Sequence, residues 1–353
     1  MDLTLTEDQQ LVQSTAREFL AGRSGVDGTG LWKEIVELGW VGLAVPESYG
    51  GVGADFLDAC LIAEELGRAG VPTPFVPTVA GALTISGSGT AQQKQAWLPA
   101  VGGRAIGYAR AEPGGHWGAA GSDLTATPSG DGYTVDGSAL FVPFALEVAD
   151  LLVVAATPDG LAAALVDAAA PGVTGKRLDT VGNEPVYTVT LDNVPLALER
   201  FLPVGESTVD SMTAYATVLT CAEMVGGAQA VLDVTVEYAG QRRQFDSPIG
   251  AFQAVQHHCA NMAIDVLGAR FAAYEAAWRL GTGSDAGAEV STAKAVVSEA
   301  YQRVCALGQQ VHGAIGFTAE HDLHRYLRHA TAAALAYGDA DYHLARLATR
   351  LGV

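Results

Sequence analysis

Few residues in this sequence could hold an anionic ligand, because 20 lysines and arginines stand against 39 aspartates and glutamates. The formal charge of −19 opposes binding to nucleic acid or to an anionic membrane, since both require clustered basic side chains. An anionic ligand would have to be held locally, by backbone amides, helix N-termini or single arginines. Arg242 and Arg243 form one candidate pair, although a solvated helix end explains the same two residues.

Histidines and cysteines show no spacing typical of a metal site. The histidines with close neighbours are His257, His258, His321, His324 and His329. No acid or cysteine at ligand spacing supports them, so we interpret them as bundle or surface residues and predict no metal. The cysteines occur singly inside apolar stretches, which predicts small core residues rather than disulfides. They are Cys60, Cys221, Cys259 and Cys305.

The pattern of apolar residues divides the chain into three regions. Residues 1–104 show helical spacing between glycine-rich loops, and residues 105–205 show short alternating runs typical of an antiparallel β domain. Residues 206–353 return to helical spacing in long segments suited to a four-helix bundle. These segments span roughly 211–241, 251–281, 287–312 and, with a break, 319–350. We therefore predict an α+β protein that is mainly α.

A glycine pair, Gly226-Gly227, falls inside the first long helix of the predicted bundle. Each glycine in a helix interior costs about 1 kcal/mol relative to alanine. The pair therefore predicts close approach of another backbone or of a ligand.

The composition indicates a soluble protein. Hydrophobic residues make up 49% of the chain, yet no window of eighteen apolar residues lacks a charge or a breaker. The N-terminal stretch is acidic and lacks the basic and apolar regions of a signal peptide, so we expect a cytoplasmic protein.

Three stretches, in order along the chain, resemble the acyl-CoA dehydrogenase family. Residues 237–253 are similar to the family's Tyr-Ala-x-x-Arg-x-x-Phe-Gly-x-Pro-Ile-x-x-x-Gln, although Asp246 replaces the usual glycine. Residues 310–320 are similar to Gln-x-x-Gly-Gly-x-Gly-Tyr-x-x-Glu, and residues 38–53 resemble the N-terminal signature. The resemblance implies the acyl-CoA dehydrogenase fold and an FAD cofactor shared between neighbouring subunits.

The resemblance also assigns residues to the cofactor. Arg242 and Gln253 inherit contacts to the FAD of the neighbouring subunit, and a guanidinium can donate two parallel hydrogen bonds to pyrophosphate. Glycines of the second stretch let backbone approach the adenosine diphosphate portion. The residues assigned to FAD in this way are Arg242, Phe245, Gln253, Gln310, Gly313, Ala314 and Phe141.

Phe141 comes from the β domain, whose match to the family is weaker. Phe141-Val142-Pro143 stands where the family has Trp-Ile-Thr beside the flavin. Residues 108–123 are similar to the family's Ala-x-Thr-Glu-Pro-x-x-Gly-Ser-Asp, with Ala111 in place of a hydroxyl residue. Flavin contacts here would come mainly from backbone amides and apolar packing.

The family's catalytic base is missing from both of its usual positions. The resemblance implies that a carboxylate removes the α-proton of an acyl-CoA thioester while the β-hydrogen leaves to flavin. Gly338 stands at the glutamate of the family's Tyr-Glu-Gly-Thr. Some members carry the base on the helix before the Arg-x-x-Phe motif, and Ala216 stands at that position. Asp339, one residue further on, can supply the carboxylate if the loop is shifted. Glu223, two turns from Ala216, is better explained as a polar contact within the bundle.

Three functions are compatible with this resemblance. The first is FAD-dependent α,β-dehydrogenation of an acyl-CoA, with electrons passed to an electron-transfer flavoprotein and with assembly as a homodimer or homotetramer. The second is a catalytically silent subunit of a mixed tetramer whose partner carries the base. The third is a related flavin oxidase. We favour an active flavin enzyme with Asp339 as its base.

Overall fold

The computed structural model describes residues 4–23, 28–110, 122–203 and 205–352, with backbone alone at positions 29 and 206. Helices at both ends of the chain flank a central sheet, which confirms the predicted mainly helical α+β class. The N-terminal helices are α1 (Glu7–Leu20), α2 (Gly28–Glu37), α3 (Phe56–Ala69), α4 (Phe75–Ser88) and α5 (Ala91–Trp97). The C-terminal helices are α6 (Glu206–Gln241), α7 (Gln253–Gly281), α8 (Gly287–His312), α9 (Leu323–Leu335) and α10 (Ala340–Leu351).

Local sequence fixes the ends of the N-terminal helices. Thr6 and Gln9 form a capping box at the start of α1, in which each side chain accepts from the other residue's backbone N–H. Asp55 and Asp58 form the equivalent box at α3. Gly70 ends α3 in the left-handed conformation, with φ 63°, which glycine adopts at little cost.

The central sheet contains seven strands in the order β1-β4-β2-β3-β7-β6, with β5 paired to β4. The strands are β1 (Ile106–Ala109), β2 (Thr125–Ser129), β3 (Gly132–Pro143), β4 (Asp150–Thr157), β5 (Gly160–Asp167), β6 (Val173–Leu178) and β7 (Val186–Ala197). Most strand pairs are antiparallel as predicted, but β4 pairs in parallel with β1 and, at one position, with β2. The connection from β1 to β4 runs through the β2–β3 hairpin, which is long enough for the crossover that parallel strands require.

α6 is the central helix of the fold, and its 36 residues extend about 54 Å. It crosses α3 at two glycines. A Cβ added to Gly226 would lie 1.8 Å from Glu64 O, and one added to Gly67 would lie 2.0 Å from Glu223 O. The two backbones therefore touch, which confirms the close approach predicted from the glycine pair. This contact fixes the position of Glu223 along α6.

The N-terminal and C-terminal helices share one hydrophobic core, whereas the sheet has a second core between its own side chains. α6, α7 and α8 pack side by side, and α9 and α10 pack against α8. The predicted fourth helix of the bundle is thus two helices joined by a turn at residues 336–339. Three cysteines lie buried in the shared core as predicted, and Cys259 is only partly buried.

A second, very short pair of strands joins α6 to α7. β8 (Arg243–Gln244) pairs with β9 (Ser247–Pro248) in antiparallel register. Phe245 and Asp246, at the tip between them, both have positive φ angles, 50° and 61°. Glycine would relieve this strain at either position, so the chain holds a strained tip where the family motif has glycine.

Candidate functional site

A cavity of about 420 Å³ lies between the sheet and the helices. Its walls come from the start of α4, from β3, from the segment before β7, and from α6, α9 and the turn that follows α9. Most of the lining side chains are apolar or aromatic. The polar or ionisable side chains in the wall are Thr73, Tyr108, Thr180, Asn183, Glu184, Thr220, Glu223, His329, Tyr337, Asp339 and Tyr342.

The turn between α9 and α10 has a backbone that only a glycine fits well. Gly338 has φ 101°, and a Cβ there would lie 2.3 Å from Tyr342 Cδ1 and 3.1 Å from His343 Nε2. Tyr337, the preceding residue, also has a positive φ, 58°, and stacks on Tyr108 with 6.0 Å between ring centroids. The position that carries the family's glutamate therefore has no room for a side chain in this conformation.

Two residues from neighbouring helices hold this turn through its carbonyl groups. Lys294 on α8 is fully buried, and its Nζ donates to Gly338 O at 2.9 Å and to Ala334 O at 2.8 Å. Burial lowers the pKa of Lys294 to about 8. His343 Nε2 lies 3.1 Å from Tyr337 O, and burial lowers the pKa of this histidine to about 4. The neutral ring can donate its proton to that carbonyl.

Asp339 follows this turn, lines the cavity and is exposed to solvent. It is the N-cap of α10, where its Oδ1 accepts from the backbone N–H of Tyr342 at 2.8 Å. One carboxylate oxygen is thus used for capping, which leaves the other available for chemistry in the cavity. The side chain of Asp339 is held in a defined position by this cap.

Phe141 enters the cavity wall from a β-bulge. The register of β3 against β7 shifts between Ala139 and Val142, and Phe141 within that interval has φ 53°. The side chain is 52% exposed and lines the cavity. Bulges often turn a side chain toward a functional site at the cost of local strain.

Three ionisable groups meet in the cavity wall from distant parts of the chain. The carboxylates of Glu184 and Glu223 and a ring nitrogen of His329 all lie within 4.8 Å of one another. Burial raises the pKa of Glu184 to about 7. Burial, together with the charge of Glu184, raises that of Glu223 well above its usual range. Burial also lowers the pKa of His329 to about 4, and Tyr301 Oη lies 3.3 Å from its Nδ1.

This cluster corrects two interpretations made from the sequence. Glu223 is a wall residue of the cavity rather than a polar contact between bundle helices, and His329 lies beside two acids rather than alone. Glu184 was not singled out at all. The three residues come from the segment before β7, from α6 and from α9, so no local spacing connects them.

A second group of predicted residues lies at the far end of the bundle. The rings of Tyr238 and His312 stack with 4.3 Å between centroids, which joins the end of α6 to the end of α8. Arg242 N donates to Tyr238 O, so the Arg242 segment and the glycine-containing segment after α8 meet here. The predicted residues at this end are exposed. They are Arg242, Phe245, Gln253, Gln310, Gly313 and Ala314.

Polar groups at this end of the bundle have few partners. The Arg242 side chain makes no hydrogen bond or ion pair within the described part of the chain. Gln309 Oε1 and His312 Nε2 are buried and also lack partners among the described residues. Gly313 has φ 66° and ψ −140°, a conformation open to glycine but not to larger residues. Such a surface fits a large polar ligand that accepts and donates hydrogen bonds.

The prediction for residues 111–121, at the weaker β-domain motif, lies outside the described residues. Ser122, which follows them, donates from its hydroxyl to Val154 O at 2.6 Å and accepts from Leu124 N. This end of the motif therefore attaches to β4. Among the helices that the structure describes, none combines the length and hydropathy needed to cross a bilayer.

Comparison with known proteins relates both helical regions to one family. The model named acyl-CoA dehydrogenase, N-terminal domain, matches residues 6–103, and the model named acyl-CoA dehydrogenase, C-terminal domain, matches residues 205–352. A probable acyl-CoA dehydrogenase, YngJ, of Bacillus subtilis is 31% identical over 382 residues, which include 99% of this chain and 100% of the relative.

Solved structures of related proteins superpose on essentially the whole chain. Butyryl-CoA dehydrogenase from Megasphaera elsdenii superposes with a TM-score of 0.94 at 27% identity, and the match covers 100% of both chains. A steroid ACAD variant superposes with a TM-score of 0.89 at 32% identity over 99% of both chains. The chain belongs to the acyl-CoA dehydrogenase family of oxidoreductases.

Proposed function

We propose that the protein catalyses the FAD-dependent α,β-dehydrogenation of an acyl-CoA thioester. The observation that carries this proposal is the cavity, whose lining includes both Phe141 and Asp339. The resemblance assigns Phe141 to the flavin and implies a carboxylate near the position of Asp339. A mostly apolar cavity that carries the exposed carboxylate of Asp339 at its edge suits proton removal from a carbon acid.

Each FAD would be held by Phe141 of one subunit and by the far end of the bundle of a neighbouring subunit. Arg242, unpaired in an acidic protein, supplies the two parallel N–H donors that a pyrophosphate accepts. Gln253 begins α7, a helix of 29 residues, so its neighbourhood also offers unpaired backbone N–H groups and a positive helix end. Gln310 and Gly313 provide an amide and an unobstructed backbone. When bound, FAD accepts the hydrogen that leaves the β-carbon of the thioester.

Asp339 is the group that removes the α-proton in this proposal. Its capping bond to Tyr342 N orients the carboxylate, and the turn that carries it is held by Lys294 through Gly338 O. A thioester bound against the apolar walls would displace water from around its α-carbon, which would strengthen the interaction of the carboxylate with that carbon. The shorter side chain of aspartate requires the thioester to lie about one methylene closer to the turn.

A second copy of this chain would cover the cofactor end of the bundle. Large apolar side chains are exposed there and along α7, which is unusual for a surface without a partner. They are Phe245, Phe252, Ile264, Leu267, Phe271, Ile315 and Phe317. On α7 the apolar residues recur at positions 264, 267 and 271, the spacing of one helix face. We propose that the protein assembles at least as a dimer through this surface.

A second candidate is the silent subunit of a mixed assembly, and one observation favours it. Gly338 leaves no space for the glutamate that the family uses, so the usual base cannot be restored by a side-chain movement. In that case a related partner subunit supplies the carboxylate, and this chain contributes only part of the FAD site. An electron-transfer flavoprotein remains the proposed electron acceptor for the active form, and oxygen is the acceptor for an oxidase.

Visible absorbance separates these candidates. The purified protein is mixed anaerobically with saturated acyl-CoA thioesters, and bleaching of the flavin bands is followed by stopped flow. We expect bleaching that air reverses slowly but an electron-transfer flavoprotein reverses quickly. Flavin without bleaching supports the silent subunit, and fast reoxidation by air supports an oxidase. Protein that binds no flavin contradicts the proposal.

The variant Asp339→Asn tests the base. Asparagine keeps the N-cap oxygen that accepts from Tyr342 N but cannot accept a proton, so we expect bleaching to slow about a hundredfold or more. Asp341→Asn is the matched control, because Asp341 is an exposed acid in the first turn of the same helix and lies outside the cavity wall. An unchanged rate in Asp339→Asn would reject Asp339 as the base.

A further inference from the structure

The cluster of Glu184, Glu223 and His329 lies at the other end of the cavity from Asp339. α9 shows this most directly, because its wall residues form one stripe from His329 through Ala332 and Ala333 to Ala336. His329 begins that stripe, and Asp339 follows its end. His329 and Ala336, which directly follows α9, are seven positions apart, which corresponds to about 10 Å at the helical rise. The cluster therefore faces a part of the substrate remote from the reacting carbons.

Glu223 has no partner that would compensate for its burial. Its side chain is only 7% exposed, and among the described residues neither it nor Glu184 forms a hydrogen bond or an ion pair. Buried polar groups in native proteins almost always have partners, since an unpaired one costs about 1–3 kcal/mol. A carboxyl group that is buried, unpaired and directed into a cavity is the expected state of a binding site without its ligand.

The protonation of the cluster selects the kind of group that it can bind. The two acids share a site and hold at least one proton near neutral pH, whereas His329 is neutral. One carboxylic acid then donates, and several oxygens and a ring nitrogen accept. A carboxylate ligand would be repelled by the second acid, and an alkyl group would leave all three residues unpaired. A hydroxyl group both donates and accepts, so it satisfies the cluster.

We propose that Glu184, Glu223 and His329 bind a hydroxyl group on the acyl chain of the substrate, at the end remote from the thioester. This inference rests on the proposed function, because it assumes that an acyl-CoA occupies the cavity. Thr220, one turn before Glu223 on α6, and Thr73 at the start of the α4 wall add hydroxyl groups to the cavity lining. The substrate class is thus a hydroxylated acyl-CoA rather than a plain alkanoyl-CoA.

Matched pairs of thioesters test the proposal. Straight-chain acyl-CoAs from octanoyl to hexadecanoyl are compared with their ω-hydroxy counterparts, both for equilibrium binding by calorimetry and for flavin bleaching. At the chain length that reaches the cluster, we expect the hydroxylated member to bind about tenfold tighter, because it pairs groups that are otherwise unpaired. In Glu223→Leu we expect this preference to reverse, while Glu223→Gln keeps a preference for the hydroxylated member.

The outcomes separate this inference from the proposed function. If the ω-hydroxy thioesters bind more tightly but no thioester bleaches the flavin, the hydroxyl site is supported and the dehydrogenase proposal is contradicted. Bleaching with the same preference in the native protein and in Glu223→Leu overturns the hydroxyl site and leaves the dehydrogenase proposal intact. A stoichiometric divalent metal in the purified protein that is lost in Glu223→Leu also overturns the hydroxyl site. Failure of every thioester to bind contradicts both proposals.

Discussion

The two acids in the cavity wall, Glu184 and Glu223, should make stability depend on pH, and replacing Glu184 with glutamine should remove part of that dependence. Glutamine has the size of a protonated glutamate but cannot ionise. Glu184 faces Glu223 from α6, His329 from α9 and the Tyr337 ring from the following turn. Arg325 lines the adjoining pocket beside them. Among these neighbours the second acid opposes ionisation of Glu184, and burial opposes it further.

The magnitude follows from the pKa of Glu184, which rises from 4.5 to about 7 on folding. The folded state therefore holds a proton that the unfolded chain releases between these two values. Stability relative to the variant is unaffected below about pH 4.5 and falls as the pH rises through about 7. A shift of that size corresponds to about 3 kcal/mol, and water in the cavity reduces the expected loss to about 1–3 kcal/mol.

Urea unfolding at several pH values measures this difference. We expect Glu184→Gln and the native protein to have similar free energies of unfolding near about pH 5, with the variant about 1–3 kcal/mol more stable near about pH 8. Glu18→Gln, on the exposed face of α1, removes the same charge outside the cavity and controls for the change in net charge. A difference between Glu184→Gln and native protein that is constant across this pH range would refute the reasoning.

Three further substitutions test the fold and the cofactor end. Gly226→Ala should destabilise the protein by about 1–3 kcal/mol in thermal unfolding, because the added Cβ meets the α3 backbone. Gly240→Ala is the control on the same helix, and it should not destabilise the protein because its Cβ faces open space. Arg242→Lys should weaken FAD binding about tenfold in fluorescence titration, and Arg243→Lys should change it less. Gly338→Glu should lower the melting temperature without raising turnover, because no side chain fits there; increased turnover would contradict this.

The fold was readable from the sequence wherever periodicity was strong. The long helices α6, α7 and α8 fall close to the predicted segments, and glycines within α6 correctly indicated a backbone contact. Residues 161–170 are Ala-rich and show no alternation of apolar and polar residues, so their sequence does not predict a strand. They contain most of β5, which is buried on both faces. The parallel pairing of β1 with β4 depends on contacts between distant segments, which local patterns do not encode.

The cavity was only partly predictable, for a related reason. The motif at residues 237–253 and the motif at residues 310–320 identified one end of the bundle because each is continuous in sequence. The acids at 184 and 223 and the histidine at 329 are brought together only by the packing of three separate elements. One signal was present: Glu223 interrupts an apolar run of α6, and an acid in such a run is buried and needs either a partner or a ligand.

The position of Glu223 is difficult to explain by stability alone. A Cβ at position 67 would lie 2.0 Å from the backbone carbonyl oxygen of Glu223, so the close contact between α3 and α6 is made at the residue that carries the acid. No described residue neutralises it, and Glu184 opposite it makes its ionisation harder. A hydrophobic residue at 223 would pack against the same apolar walls without this cost. An acid held at such a place, against the local energetics, is best explained by a ligand that compensates it, and the cavity in front of it is where that ligand would bind.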